Sequence, residues 1–576
     1  MKQLMLGNEA IARGAWEAGV KLVSSYPGTP STEITEFCAN YPDMYVEWAS
    51  NEKVALEVGV GASLSGARAL CCMKHVGLNV AADPLYTASY TGVGGGLVVI
   101  VADDPGMHSS QNEQDSRNHA RGALLPMLEP ADSAECREFI KIAYELSEKY
   151  DTPVLVRTTT RIAHARSLTE TAERTELELK EYKKDIMKNV MMPGMARGRH
   201  VVVEARMNQL TEDACSLPVN RKEMRDTKIG VICSGTTYQY VREAAPEAST
   251  LKIGLVNPLP EKLIREFAAS VEKLYVLEEL EPVIEEQVKA MGIECEGKNL
   301  TGRQGELSLR KVAAILNNPL PEPKTAEAIP NRPPVMCPGC PHRGSYYVIR
   351  KLGLTAMGDI GCYTLGALPP TSAIDACLCM GASIGLTQGF TRMRGEEAAK
   401  KTVAVIGDST FMHSGINSLL SAVYNQSDAT IMILDNTTTG MTGHQPNPAT
   451  GFDIHGNPAN RISLEKLCEA AGAASVRVVD AFDLKGLEKI LKEETARKGV
   501  SVIISRRACA LLDKKSKKPA LRIDTDACKK CMACTKIGCP AIEKVAGGVR
   551  INPALCVGCE LCTQMCAFGA IRKAGE

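Results

Sequence analysis

Cysteine is the residue type with most to say about chemistry: 22 stand in a chain that has only 8 Phe, 15 Tyr and 2 Trp. Eight fall within 520–576, as two runs of matching spacing: Cys528-x2-Cys531-x2-Cys534-x4-Cys539-Pro540 and Cys556-x2-Cys559-x2-Cys562-x3-Cys566-Ala567. Three thiolates at this spacing wrap one face of a [4Fe-4S] cube, and in two-cluster proteins the fourth ligand comes from the other run. That rule puts Cys528, Cys531, Cys534 and Cys566 on one cluster, and Cys556, Cys559, Cys562 and Cys539 on the other. Four thiolates also suit tetrahedral zinc, but zinc sites pair two C-x2-C knuckles across a longer gap. The extra residue before Cys539 and the missing proline after Cys566 remove no ligand.

A second constellation is VAVIGDSTFMHSG followed by TIMILDNTTTGMTGHQ. A buried-type strand ending at Ile406 delivers Gly407, Asp408 and Ser409 to its C-terminal tip, where ligand sites of α/β sheets collect. The next buried-type strand delivers Asn436 to its own tip. One carboxylate, one amide oxygen and the carbonyl of Thr438, completed by diphosphate oxygens, make an octahedral Mg2+ site. Gly-Asp alone is commonly a turn; with the downstream Asn it points to thiamine diphosphate. Gly440 and Thr442 lie in a Gly-Met-Thr-Gly run whose backbone amides can approach the anion. Thiamine also needs a carboxylate on its aminopyrimidine ring, and Glu52, in WASNEKVALEVGVGASLSGARAL, is the candidate. Its other reading is a helix cap or a surface residue. Ala55, Gly59, Ala62 and Gly66 at helical spacing allow close packing there.

The elements that must position these groups follow from composition and pattern. At roughly 150 residues per domain, 576 residues make about four. Hydrophobic residues at 44% with zero net charge exclude disorder and argue against a nucleic-acid or membrane-surface partner. Asn8, Glu9 and Arg13 interrupt any secretory apolar run, and Gly94–Ala102 is too short to span a bilayer. The expectation is a cytoplasmic protein with reduced or metal-bound cysteines. Strands at 21–24, 97–102 and 154–157 alternate with helices through residues 1–190, the pattern of parallel α/β units. A charge-rich stretch, 163–226, reads as exposed helix and linker. A smaller α/β domain, 191–320 with its preceding linker, has strands at Lys228, 253–256 and 273–277. The proline-rich 318–334 reads as a linker. A third α/β domain spans 335–510, with strands at 402–406, 430–434 and 500–505, and 520–576 carries the cysteine repeat.

With these motifs in order, the chain resembles the 2-oxoacid:ferredoxin oxidoreductases along essentially its whole length. The resemblance rests on YPGTPSTEI (26–34), NEKVALEVGVGAS (51–63), KHVGLNVAADP (74–84), CPGCPHRG (337–344), DIGCYTLG (359–366), GDS (407–409), DNTTTGMTGHQ (435–445) and the cysteine tail. It implies several doubly wound thiamine-enzyme domains: pyrimidine-binding at 1–190, transketolase C-terminal-like at 191–320, and diphosphate- and Mg-binding at 335–510. A two-cluster ferredoxin-like domain follows at 520–576. The implied reaction is CoA-dependent oxidative decarboxylation of an arylpyruvate such as indolepyruvate, with electrons passing through [4Fe-4S] clusters to ferredoxin. The alternatives are another 2-oxoacid or a non-oxidative thiamine decarboxylase. The family also implies a smaller beta subunit in an α2β2 assembly, and an external ferredoxin.

The resemblance gives Glu52 the activation of thiamine and Thr29 a polar contact with the 2-oxoacid, although Pro27, Gly28 and Pro30 also make this loop a turn. Arg117 is a candidate partner for the substrate carboxylate. His75 and His444 lie inside motif runs and read either as contacts or as structural histidines. Cys337, Cys340, Cys362 and Cys509 resemble the ligands of a third cluster near thiamine; the other readings are a structural knuckle, a zinc site or buried thiols. The remaining ten cysteines read as ordinary thiols. Residues 506–519 hold six basic residues against one acid, which suggests a docking region for an acidic ferredoxin or a solvated linker.

Overall fold

The computed structural model describes residues 2–322, 330, 332–512 and 518–573. It divides into two units, Met1–Thr325 and Ala326–Glu576.

The first unit is built on a seven-stranded sheet ordered Leu255–Asn257, Met127–Leu128, Val154–Thr159, Leu97–Asp103, Ala69–Lys74, Leu22–Ser25 and Tyr45–Trp48. All its pairings are parallel except that of the first two strands. The three central strands are buried at every position, as expected where helices cover both faces of a parallel sheet. A second sheet orders Lys273–Leu277, Asp226–Cys233, Ala248–Lys252 and Arg221–Glu223, with only the last strand antiparallel.

The strand expected at 253–256 in the smaller domain is in fact Leu255–Asn257, and it lies on the edge of the first sheet. Leu255 faces Leu128, and Asn257 Nδ2 donates to the Leu125 carbonyl at 2.7 Å. The second sheet takes Ala248–Lys252 in its place. The charge-rich stretch holds a strand, Arg166–Glu170, paired with Lys2–Leu6, and the 21-residue helix Pro193–Asp213. That helix buries Val203, Met207 and Leu210 and leaves Val201 and Val202 exposed. Its Arg206 Nη2 donates to the Ser89 carbonyl at 2.9 Å, tying it to the N-terminal sheet's helices.

The second unit holds a five-stranded, wholly parallel sheet ordered Thr355–Met357, Thr402–Gly407, Ala429–Asp435, Val500–Arg506 and Ser475–Asp480. Its last residues repeat in space as they do in sequence. Leu521–Ile523 pairs antiparallel with Ile571–Lys573, and Ile542–Val545 with Gly548–Ile551. One-turn 3-10 helices, Ala533–Ile537 and Leu561–Met565, follow equivalent loops. Met532 and Glu560, at equivalent places in the two cysteine runs, share left-handed φ values of 60° and 64°. The Thr535 and Thr563 hydroxyls cap these two residues' carbonyls at 2.8 and 2.7 Å. No helix among the described residues is long and apolar enough to cross a membrane.

Candidate cofactor and cluster sites

Gly407 closes the strand Thr402–Gly407, and Asp408 starts the turn beyond it, 2% exposed. The neighbouring strand ends at Asp435, so Asn436 emerges beside it. The Asn436 side-chain oxygen lies 2.7 Å from the Thr438 carbonyl oxygen and 3.1 Å from Asp408 Oδ1. A half-turn of the amide would put its nitrogen there and make both contacts hydrogen bonds. In either orientation the amide meets both oxygens, and with its own oxygen turned inward the three groups form a donor set suited to a hard cation. Neighbouring ligand oxygens of octahedral Mg2+, each about 2.1 Å from the ion, lie about 3 Å apart. Burial, reinforced by the charge of Asp435, raises the Asp408 pKa to about 7; a bound cation would reverse that penalty.

The loop that follows is fixed by its own polar groups. Thr439 Oγ1 donates to Ser409 Oγ at 2.9 Å, and Thr442 Oγ1 to Gln445 Oε1 at 2.6 Å. Gln445 Nε2 returns a bond to the Thr442 carbonyl at 2.9 Å. A Cβ on Gly440 would lie 3.3 Å from Cys362 Sγ and 3.4 Å from Asn436 Nδ2, so a side chain there would crowd the site. Sequence reasoning missed Asn447, whose Nδ2 reaches Asp408 Oδ2 at 3.5 Å and leaves Oδ1 facing Asn436. Its position just past the DNTTTGMTGHQ run is the only signal that pointed to it.

In the first unit, Glu52 opens the helix Glu52–Leu64 and is 4% exposed. It is not the cap: Asn51 is, its side chain accepting from the Val54 amide at 2.9 Å. A Cβ on Gly77 would come within 2.6 Å of the Glu52 carboxylate, so the glycine leaves room for it. Thr29 is half-buried, and its carbonyl accepts from Ser109 Oγ at 3.3 Å. Lys74 Nζ donates to the Ser109 carbonyl at 2.7 Å, and burial lowers its pKa to about 8 despite nearby Asp104. Lys74 is thus a cation beside the Thr29 loop, and sequence reasoning passed over it.

Arg117 is built into a buried ion-pair network. It is 1% exposed, and its guanidinium binds Asp115 at 2.9 and 2.6 Å, Glu278 at 2.6 Å, and the carbonyls of Glu279 and Glu281 at 2.9 and 3.1 Å. Those partners engage all three of its nitrogens. His75 is buried at the start of helix His75–Val80, and burial lowers its pKa. His444 Nε2 lies 3.6 Å from Cys509 Sγ.

The tail cysteines fall into two sets. Cys539 lines one apolar cavity together with Cys556, Cys559 and Cys562. Cys566 lines another with Cys528, Cys531 and Cys534. The Leu521 amide donates to Cys556 Sγ at 3.4 Å and the Ala570 amide to Cys566 Sγ at 3.3 Å. Among the described residues no three Cys, His, Asp or Glu side chains gather closely enough around one point to hold a single ion. Cys337 and Cys509 lie near enough to Cys362 for their charges to bear on it, as Cys337 and Cys362 do on Cys340. Burial pushes the Cys362 thiol up to about 11, with Cys509 and Cys337 adding to it, and Cys340 up to about 12. The Cys509 amide donates to the Asn436 carbonyl at 3.0 Å, so this set adjoins the converging oxygens.

The basic stretch is less available than its composition suggests. Arg506 pairs with Asp435 and Glu465 at 2.6 Å each, and Arg507 with Asp480. Lys518 pairs with Glu560 at 3.2 Å. Lys514, Lys515 and Lys517 lie outside the described residues, as does Asp513.

Residues 13–225 match the thiamine-diphosphate-binding region of pyruvate flavodoxin/ferredoxin oxidoreductases, and residues 359–505 match the C-terminal TPP-binding domain of thiamine pyrophosphate enzymes. Fold and site therefore define a thiamine-dependent oxidoreductase of the 2-oxoacid:ferredoxin class. The chain is 41% identical to indolepyruvate oxidoreductase subunit IorA of Pyrococcus horikoshii, over 100% of this chain and 97% of that one. It is 39% identical to the subunit of the same name from Archaeoglobus fulgidus, over 100% and 98%. The 2-oxoglutarate synthase subunit KorA of Methanothermobacter marburgensis is 25% identical over 47% of this chain and 86% of its own length. The chain belongs to the IorA family of indolepyruvate oxidoreductase subunits.

Proposed function

We propose that the chain is the larger subunit of an enzyme that oxidatively decarboxylates indolepyruvate and related arylpyruvates. The products are the aryl-acetyl-CoA, CO2 and two reduced ferredoxins. The observation that carries this reading is the meeting of Asp408 Oδ1, the Asn436 side-chain amide and the Thr438 carbonyl at the ends of two parallel strands. Bound thiamine diphosphate supplies the electron sink that decarboxylation of a 2-oxoacid needs. Asp408, Asn436 and the Thr438 carbonyl hold its Mg2+, while Ser409, Gly440 and Thr442 shape the loop around the diphosphate. Glu52, buried and facing Gly77, would hydrogen-bond the aminopyrimidine ring through its carboxyl group and so favour the ring's imino tautomer. Thr29, with Lys74 beside it, orients the substrate carboxylate.

The cysteine sets hold two [4Fe-4S] clusters in a ferredoxin-like segment at 520–576, and Cys337, Cys340, Cys362 and Cys509 a third. Their division into two sets, each lining its own cavity, supports two clusters ligated across the two runs. The domains follow as 1–190 for the pyrimidine, 191–320 as a smaller α/β domain and 335–510 for diphosphate and Mg2+. That the relatives are subunits supports a partner chain; the reading takes it as a smaller beta subunit in an α2β2 complex, working in the cytoplasm with an external ferredoxin docked by the basic region that begins at Arg506.

The test is anaerobic assay of the purified complex with a panel of 2-oxoacids, CoA and viologen. CoA-dependent viologen reduction, fastest with indolepyruvate, is expected. Release of an aldehyde without CoA or viologen reduction would replace this reading with a non-oxidative decarboxylase. Twelve iron atoms per chain are expected for three clusters, about four in each; eight would remove the third.

A further inference from the structure

Arg343 follows the Cys337-Pro-Gly-Cys340 segment, in the helix His342–Lys351, and is 2% exposed. Its guanidinium donates only to neutral backbone carbonyls: Nε to Cys337 at 3.1 Å, Nη2 to Met336 and Nη1 to Gly538. Among the described residues no Asp or Glu comes within ion-pairing distance of it. Arg117 and Arg157, buried to the same degree, differ in this respect. The first pairs with Asp115 and Glu278, the second with Asp103 and Glu129. A guanidinium out of water is costly unless a negative charge lies near. Burial lowers the Arg343 pKa, and the neighbouring groups whose negative charge would offset that cost are the cysteines Cys539, Cys340, Cys337 and Cys559. It also lines the cavity that Cys539, Cys556, Cys559 and Cys562 share. As neutral thiols these cysteines leave the cation unanswered; as thiolate ligands of an anionic cluster they answer it.

We infer that Arg343 is a built-in counter-cation, shared by the cluster at Cys539, Cys556, Cys559 and Cys562 and by the Cys337/Cys340 set, and that it favours their reduced states. The inference rests on the cluster reading given above. When such a cluster takes one electron from the oxidation reaction, no bond breaks and its negative charge grows by one. A fixed cation at close range therefore stabilises the reduced form more than the oxidised one. By its three carbonyl bonds Arg343 also joins the CPGC segment to the Gly538 turn, so charge and position coincide.

The experiment is an EPR-monitored redox titration, with iron and sulfide analysis, of the anaerobic complex carrying Arg343→Gln, Arg343→Lys or Arg350→Gln. Arg350 crosses the same seam, donating to the Lys536 carbonyl at 2.9 Å and the Thr371 carbonyl at 3.0 Å, but it is exposed. In Arg343→Gln the reduced-to-oxidised ratio of a cluster at fixed potential should fall about tenfold, which is 59 mV for one electron. Arg343→Lys should restore most of that ratio, and Arg350→Gln should leave it unchanged. If Arg343→Gln loses iron, the ratio is read in Arg343→Lys, which keeps the charge, and a ratio near that of wild type carries the inference. An unshifted ratio in iron-replete Arg343→Gln overturns it. So does Arg343→Lys behaving as Arg343→Gln does, which would mark the fork geometry alone. A wild-type complex without iron would instead sink the cluster reading itself.

Discussion

Asp408 is held in a place that opposes its charge. Burial first, and Asp435 second, raise its pKa from 3.8 to about 7, so between those values the folded protein binds a proton that the unfolded chain has released. The sign follows: this group's contribution to the stability of metal-free protein declines as pH rises from about 4 to about 7, by up to about 1.4 kcal/mol per unit. Asp408→Asn removes that titration. In EDTA its stability relative to wild type should increase between pH 5 and pH 8, and Mg2+ with thiamine diphosphate should reverse the order. Denaturant midpoints at the two pH values decide it, and a pH-independent difference would refute the burial argument. Glu52→Gln keeps size and loses basicity. It should retain bound thiamine while kcat drops about 10²- to 10⁴-fold, the range of a lost acid–base group, as measured by steady-state rates alongside cofactor content. Arg117 belongs to stability instead. Arg117→Ala strands Asp115 and Glu278, both buried, and should cost about 3–5 kcal/mol. A variant of near wild-type stability but raised KM for the oxoacid would return Arg117 to the substrate.

The helix Glu52–Leu64 shows how an element fixes a site by what its residues lack. A Cβ on Gly59 would fall 2.3 Å from Cys71 Sγ of the strand Ala69–Lys74, whereas one on Gly61 meets nothing within 4 Å. Gly59→Ala should therefore cost about 1–3 kcal/mol by overpacking, and Gly61→Ala should gain up to about 1 kcal/mol from helix propensity. Thermal midpoints of the two variants, moving in opposite directions, check it. The small-residue spacing that suggests close packing is legible in the sequence; which glycine makes the contact is not. The same division holds among the strands. Thr402–Gly407 and Ala429–Asp435 are continuous apolar runs, and the sequence shows both with nearly their full extent. Thr355–Met357 and Ser475–Asp480 are edge strands, short or half-exposed, and without such a run they are invisible in it. Leu255–Asn257 reads as a strand, but its place in the first sheet is hidden, because its partner Met127–Leu128 lies far off in sequence and only tertiary pairing reveals it. Arg117 misleads for a related reason: an arginine inside a motif looks like a ligand until the distant Glu278 is seen to claim it.

Across the tail, the sequence repeat and the spatial repeat disagree usefully about which cysteines belong together. By sequence Cys539 closes the first run and Cys566 the second. In space Cys539 shares a cavity with Cys556, Cys559 and Cys562, and Cys566 with Cys528, Cys531 and Cys534. The turns at Met532 and Glu560 have matching left-handed geometry, so each run presents its first three thiols in the same way and reaches across with its fourth. The spacing rule anticipates this exchange; paired removals can test it, since a single removal costs one cluster whichever pairing holds. Under the exchanged pairing, Cys539→Ala with Cys556→Ala damages one cluster and should release about four iron atoms per chain, while Cys539→Ala with Cys528→Ala damages both and should release about eight. Local pairing predicts the reverse. Iron and sulfide analysis of the two double variants in the anaerobic complex separates the alternatives. Equal losses from both would mean that the clusters depend on one another for assembly, a result the separate cavities do not predict.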